Sequence, residues 1–181
     1  MHRLFVALRP PRMVRSRLLA MMGGIPRARW QDDDQLHLTL RFIGEVDRRT
    51  ADDIAAVLGS VRSPLPDLRL AGCGLFDTRG RANAIWAGVA PQAPLAALHR
   101  KLDQALVRIG LAPERRAYLP HITLARLSGG SAHVDRFVAA HASLSSAPFR
   151  VAHFTLFESE LGKGGATYSA VARYPLDDET D

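Results

Sequence analysis

At 181 residues, 47% of them hydrophobic, the chain is long enough for one substantial core or two small fused lobes and too short for several independent domains. No apolar run approaches the ~20 residues of a membrane helix, and the opening MHRLFVALRPP is too short and lacks the small-residue cleavage site of a signal peptide, so a cytoplasmic protein without membrane association is expected. A net charge of +6, carried mainly by arginine, favours anionic partners such as nucleic acid or phosphate esters, while the single cysteine, Cys73, excludes an internal disulfide or a multi-cysteine zinc site and is expected to be a small buried hydrophobe.

In chain order, RLFVAL reads as an opening strand, and Pro10 and Pro11 introduce a helix running to about Met22, proline being favoured in a first turn. QLHLTLRFIG is a strand. DRRTADDIAAVLGSV predicts a helix with Thr50 as its N-cap, on the spacing of Ile54, Val57, Leu58 and Val61. RLAGCGLFD and NAIWAGVA read as antiparallel strands joined by the turn-prone TRGRA. PLAALHRKLDQALVRIG carries helical spacing at Leu95, Leu98, Leu102, Leu106 and Ile109 and closes at Gly110. HITLARL is a strand, AHVDRFVAAHA a short helix, and FRVAHFTLFES with ATYSAVARYPL a closing strand pair around the glycine-rich turn LGKGG. The tail DDETD should be solvated and frayed.

Three segments share the pattern HxTL: HLTL from His37, HITL from His121 and HFTL from His153. Average composition gives about 0.04 such matches for seven histidines, so three are too many for chance, although alternating strands enrich the pattern. The first two copies occupy corresponding places in the two halves of the chain. This predicts an α+β fold: a single domain over 1–181, duplicated and two-lobed, with antiparallel sheets flanking a central cleft and helices outside.

Side chains alternate between the faces of a strand, so His37 and Thr39 share one face and Leu38, Leu40 and Phe42 the other. By the same parity His121 and Thr123 lie opposite Ile122 and Leu124. If the lobes pack about a pseudo-twofold, the two polar pairs meet across the cleft. Paired histidines can divide proton transfer, since a pKa near 6.5 leaves a neutral and a charged imidazole available together. Phosphodiester cleavage needs such a pair, with hydroxyls and an arginine stabilising charge on phosphorus, and it needs no metal.

With these flanks the chain resembles the two-histidine (2H) phosphoesterases, and within them the bacterial and archaeal RNA 2′,3′-cyclic phosphodiesterases, also called 2′-5′ RNA ligases. The resemblance runs through RLFVAL, LHLTLRFIGEV, IWAGV, YLPHITLAR and LFESELGKGGATYSAVARYPL, where the family has a Ser-x-Leu, a glycine turn and a tyrosine. It implies hydrolysis of RNA 3′ ends bearing a 2′,3′-cyclic phosphate to 2′-phosphomonoesters, by a monomer without cofactor or metal, with ligation as the nominal reverse. His37 then corresponds to the proton donor and His121 to the proton acceptor, with Thr39, Thr123 and Arg126 binding phosphate. Parity places Arg126 with Ile122 and Leu124, so the strand must end or bulge before it if the guanidinium is to reach the cleft. Tyr118 stands where the family usually has phenylalanine, and RANAIW lacks the usual Pro-Arg before the tryptophan.

His153 is excluded from the pair, because a duplicated fold offers two equivalent strands and no symmetric place for a third; it should share the more polar face with Thr155. Trp86 and Phe76 read as core aromatics before base-stacking ones. The acidic run at 32–34 reads as a solvated turn, and His2, His99, His133 and His141 as ordinary surface or boundary residues. Two other readings remain. A metal-dependent hydrolase is disfavoured because no H-E-x-x-H is present, and a non-catalytic RNA-binding module is separable by turnover.

Overall fold

The structure, a computed structural model, describes residues 1–177; residues 178–181, which hold most of the expected solvated tail, lie outside the described residues. The elements are β1 (His2–Leu8), α1 (Arg12–Met21), β2 (Arg29–Trp30), β3 (Leu38–Val46), α2 (Arg48–Leu58), β4 (Arg69–Thr78), β5 (Arg81–Ala90), α3 (Gln92–Arg108), β6 (His121–Arg126), α4 (Ala132–Ala140), β7 (His153–Gly162) and β8 (Gly165–Pro175). The cap of α2 is Asp47, not the expected Thr50: the Asp47 carboxylate accepts the Thr50 backbone N–H at 2.8 Å, and the threonine falls inside the first turn. The two-residue β2 is too short for any periodicity to reveal. No helix of the described residues is long and apolar enough to cross a membrane.

The strands form one antiparallel sheet in the order β4-β5-β6-β3-β1-β7-β8, with β2 added on β6. The two sheets expected from the duplication are therefore halves of one, joined at β3–β6 by the single residue pair Leu38 and Ile122. About this seam the order is pseudo-twofold. β3 and β6 are central, β1 and β5 flank them, and β7 and β4 lie beyond. Each half-sheet thus takes an outer strand from the other half of the chain, which binds the two lobes together.

The helices cover one face. Val14 and Leu18 of α1, Ile54 and Leu58 of α2, Leu98 and Leu102 of α3 and Val134 of α4 all join one core with Leu38, Leu40, Ile122 and Leu124. The other face carries only a small cluster of Phe5, Ala7 and Phe157 with Tyr168 against it.

Two equivalent bulges interrupt the central strands. Thr39 pairs with Ala7 and Arg41 with Val6, leaving Leu40 as the extra residue of β3. Thr123 pairs with Trp86 and Ala125 with Ile85, leaving Leu124 as the extra residue of β6. Leu40 and Arg41 consequently both turn inward, at 1% and 7% exposure, and Phe42 emerges on the open face at 46%. This corrects the placement of Phe42 with Leu38 and Leu40, since uninterrupted alternation does not survive the bulge. Arg126 emerges in the same way beyond the buried Leu124 and Ala125.

Inward-turned Arg41 donates to acceptors on its own strand, on α3 and on the segment after α3. Its Nε donates to Asp103 Oδ1 of α3 at 2.7 Å and its Nη2 to the Ala112 carbonyl at 2.6 Å, while Asp103 also accepts the Glu114 N–H at 3.1 Å. The pair ties β3 and α3 to the segment that leads into β6. Asp103→Ala leaves a buried guanidinium without its carboxylate and is expected to cost roughly 3 kcal/mol in urea unfolding. A loss below about 1 kcal/mol would show instead that Arg41 relaxes into solvent.

Candidate active site

His37 stands between a short 3-10 turn, Asp33–Gln35, and the start of β3. The turn is a capping box: Asp32 accepts the Gln35 N–H, and the Gln35 side chain accepts the Asp32 N–H in return. The acidic run at 32–34 is therefore structural and not merely solvated. Arg15 binds Asp33 at 2.9 Å, and Arg9 reaches Asp33 and Asp34. Hydrogen bonding from Arg15 holds the Asp33 carboxyl below its ordinary range. Gln35 Nε2 donates to the Ala166 carbonyl at 2.9 Å, tying this turn to β8.

The two histidines are set by the same local device. His37 Nδ1–H donates to the Gln35 carbonyl and His121 Nδ1–H to the Leu119 carbonyl, each two residues back and each at 2.7 Å. Because a carbonyl can only accept, both rings carry the proton on Nδ1 when neutral, which leaves Nε2 to the cleft. Nε2 of His37 accepts from the Thr39 hydroxyl at 3.0 Å.

The surroundings of the two rings differ. His37 packs against Phe5 at 4.9 Å and edge-on to Tyr168 at 5.2 Å, whereas His121 meets the edge of Phe76 at 4.7 Å. Burial pushes the His37 imidazole down to about 4, opposed by its bond to Gln35 and reinforced by His121, Arg126 and Arg9. Burial also lowers His121, again opposed by a backbone bond and reinforced by Arg126. Both imidazoles are thus biased towards the neutral form near pH 7.

His37, Thr39, His121, Thr123 and Arg126 all line one cleft of about 1210 Å³ on the open face, so the five residues singled out in the sequence meet there. Arg126 reaches it through the Leu124 bulge. Arg3, Arg29, Arg116 and Lys163 line the same cleft, giving it a cationic rim. Ser159 and Tyr168 from the closing hairpin line it too.

His153 does not line the cleft, and Thr155, which pairs with Ala7 on the open face as alternation with Phe154 and Leu156 requires, is buried there at 2% exposure. His2 donates to Glu158 at 2.8 Å. Cys73 is half-buried, and burial pushes its thiol up to about 11, leaving it protonated and inert. Among the described residues, no three His, Cys, Asp or Glu side chains gather in a way that would hold a metal ion.

His99 is not the ordinary boundary residue expected. It lines the cleft, its Nδ1–H donates to the carbonyl of the bulge residue Leu40 at 2.6 Å, and its ring stacks parallel on Tyr118 at 4.4 Å. The Tyr118 hydroxyl in turn donates to the Thr39 carbonyl at 3.2 Å. A signal was present in the sequence: His99 lies four residues after Leu95 and three before Leu102, on the buried stripe of its helix. Of the two aromatics read as core, Phe76 lines the cleft, whereas the indole of Trp86 lies over Gly74, where a Cβ would overlap it.

Comparison with known proteins agrees with this geometry. The family model described as the 2′-5′ RNA ligase superfamily matches residues 25–163. The RNA 2′,3′-cyclic phosphodiesterase of Aeropyrum pernix is 34% identical over 119 residues, covering 65% of this chain and 67% of that protein. The RNA 2′,3′-cyclic phosphodiesterase of Geobacillus stearothermophilus is 29% identical over 85% of this chain, which spans about half (49%) of that relative's length. The crystal structure of E. coli LigT complexed with 3′-AMP superposes with a TM-score of 0.79 at 28% identity, over 98% of this chain and 99% of that one. A shared fold from end to end, a family match spanning both histidine motifs and a relative sharing a third of its aligned residues converge on one assignment: the chain belongs to the 2′-5′ RNA ligase superfamily, the two-histidine phosphoesterases.

Proposed function

We propose that the chain is a metal-independent RNA 2′,3′-cyclic phosphodiesterase, working as one two-lobed domain over 1–181, as a monomer and in the cytoplasm. Its substrates are RNA 3′ ends that carry a 2′,3′-cyclic phosphate. The observation that carries this reading is the pair of imidazoles with matched Nδ1–H bonds, each leaving Nε2 to one arginine-rimmed cleft. The activity named for the relatives supplies the substrate class.

In this mechanism Thr39, Thr123 and Arg126 hold the non-bridging oxygens of the cyclic phosphate. His121 Nε2 takes a proton from water as the water oxygen bonds to phosphorus. The bond from phosphorus to O3′ then breaks, and His37, protonated at Nε2, gives its proton to O3′. The products are a 2′-phosphomonoester and a free 3′ hydroxyl; His121 returns its proton to solvent and His37 is recharged. The lowered pKa of His37 is compatible with the acid role because a phosphate anion beside the ring raises it and offsets the Arg126 charge.

A short RNA ending in a 2′,3′-cyclic phosphate should yield a 2′-phosphomonoester at a rate unchanged by EDTA. A 3′-phosphate product reverses the two roles, and activity that vanishes with chelator and returns with zinc or manganese rules out the two-histidine mechanism. His37→Ala and His121→Ala should each slow turnover by on the order of 10²- to 10⁴-fold without unfolding the protein, whereas His153→Ala stays within about threefold. Equal losses at His153 and His121, in proteins that circular dichroism shows folded, would mean that the pair is wrongly chosen.

The pH dependence has a definite sign. The acid must be charged, and burial lowers its pKa in the free enzyme while bound anion raises it, so the alkaline limb of kcat/KM should lie at lower pH than that of kcat. Coincident limbs would indicate that substrate does not recharge the imidazole.

A further inference from the structure

Phe42 is 46% exposed and lines the cleft, which it reaches only because the Leu40 bulge turns it to the open face. The guanidinium of Arg3 lies over its ring, 5.5 Å from the centroid. Arg3 also acts electrostatically on Tyr168, the ring that packs on His37, so this aromatic–cation pair is continuous with the catalytic cleft. A ligand that covers this ring must tolerate a cation beside it.

Position indicates which part of a substrate that ligand is. Phe5, Tyr168 and Phe76 touch the two histidines and so flank the centre of the cleft. Among the described residues no ring contact links Phe42 to either histidine. It stands four residues along β3 from the Leu38–Ile122 seam, roughly 10–13 Å at the usual strand rise less the bulge. It is therefore set apart from the rings that touch the two histidines. Its pseudo-twofold counterpart at the opposite end of the cleft is Arg126, so one end offers a bare cation and the other an aromatic face backed by a cation. Bases stack on aromatic rings with little regard to sequence, while arginine meets the backbone phosphate.

We infer that Phe42 and Arg3 form a second subsite, in which Phe42 stacks on the penultimate nucleobase of the RNA and Arg3 meets the phosphodiester linking the last two nucleotides. This rests on the cyclic phosphodiesterase reading above and extends it: the preferred substrate is an oligonucleotide end and not a cyclic mononucleotide.

The test compares kcat/KM for adenosine 2′,3′-cyclic phosphate with that for the dinucleotide ApA bearing the same terminal cyclic phosphate. The wild-type protein should favour the dinucleotide by about tenfold or more, the scale of one base–aromatic stack. Phe42→Ala should remove most of that preference while leaving the mononucleotide within about twofold, and Phe42→Trp should retain it; Arg3→Gln should lower kcat/KM for the dinucleotide more than for the mononucleotide. A wild type that turns over both substrates equally overturns the second subsite alone, as does a Phe42→Ala loss that falls equally on both. Failure of the wild type to turn over either substrate defeats the phosphodiesterase reading and the subsite with it.

Discussion

A single residue pair, Leu38 facing Ile122, is the point at which the two half-sheets become one, and the arrangement of the cleft follows from it. Both residues are essentially buried, at 2% and 0% exposure, because the helices lie on their side of the sheet. Strand alternation then forces the neighbours of each, His37 and Thr39, Thr123 and His121, to emerge together on the uncovered face. The second residue of each HxTL motif is thus the buried anchor that brings the polar residues of both motifs side by side. The seam is short because the strands bulge immediately after it, and those bulges deliver Arg126 and Phe42 to the same face at opposite ends.

The two imidazoles share a backbone setting and differ in their surroundings. Both rings receive the same tautomer from a carbonyl two residues back. His37, however, is enclosed by Phe5 and Tyr168 and engaged by Thr39, whereas His121 meets Phe76 edge-on. A deeper enclosure makes His37 the group more sensitive to what enters the cleft.

Behind the site lies a brace that the chemistry itself does not require. Arg41 and Asp103 connect β3 to α3 and to the segment ahead of β6, and His99 with Tyr118 holds the carbonyls of Leu40 and Thr39. Those carbonyls belong to the first bulge, where regular ladder pairing is lost. Tyr118 stands three residues before His121, so the same segment that steadies the first motif leads into the second. The brace therefore couples the backbone of the first motif to that of the second.

Much of this was legible in the chain. The 3.6-residue spacing of Leu95, Leu98, Leu102 and Leu106 marked α3, alternation marked the central strands, and the two HxTL segments marked the polar face, because each of these depends on residues close together in sequence. The Asp47 cap, the two-residue β2, the inward turn of Arg41 and the outward turn of Phe42 were not legible. A bulge is defined by one strand having a residue more than its partner, and that mismatch exists only once the partner is known. The same holds for His99, whose place on a buried helical stripe was readable but whose acceptor, the Leu40 carbonyl, is supplied by a distant strand. The sequence by itself determined which histidine and threonine of each HxTL motif share a face, because strand alternation is a local property. Tertiary structure alone decided which face Phe42 occupies and how Arg126 reaches the cleft, because both depend on register between strands that the chain brings together only on folding.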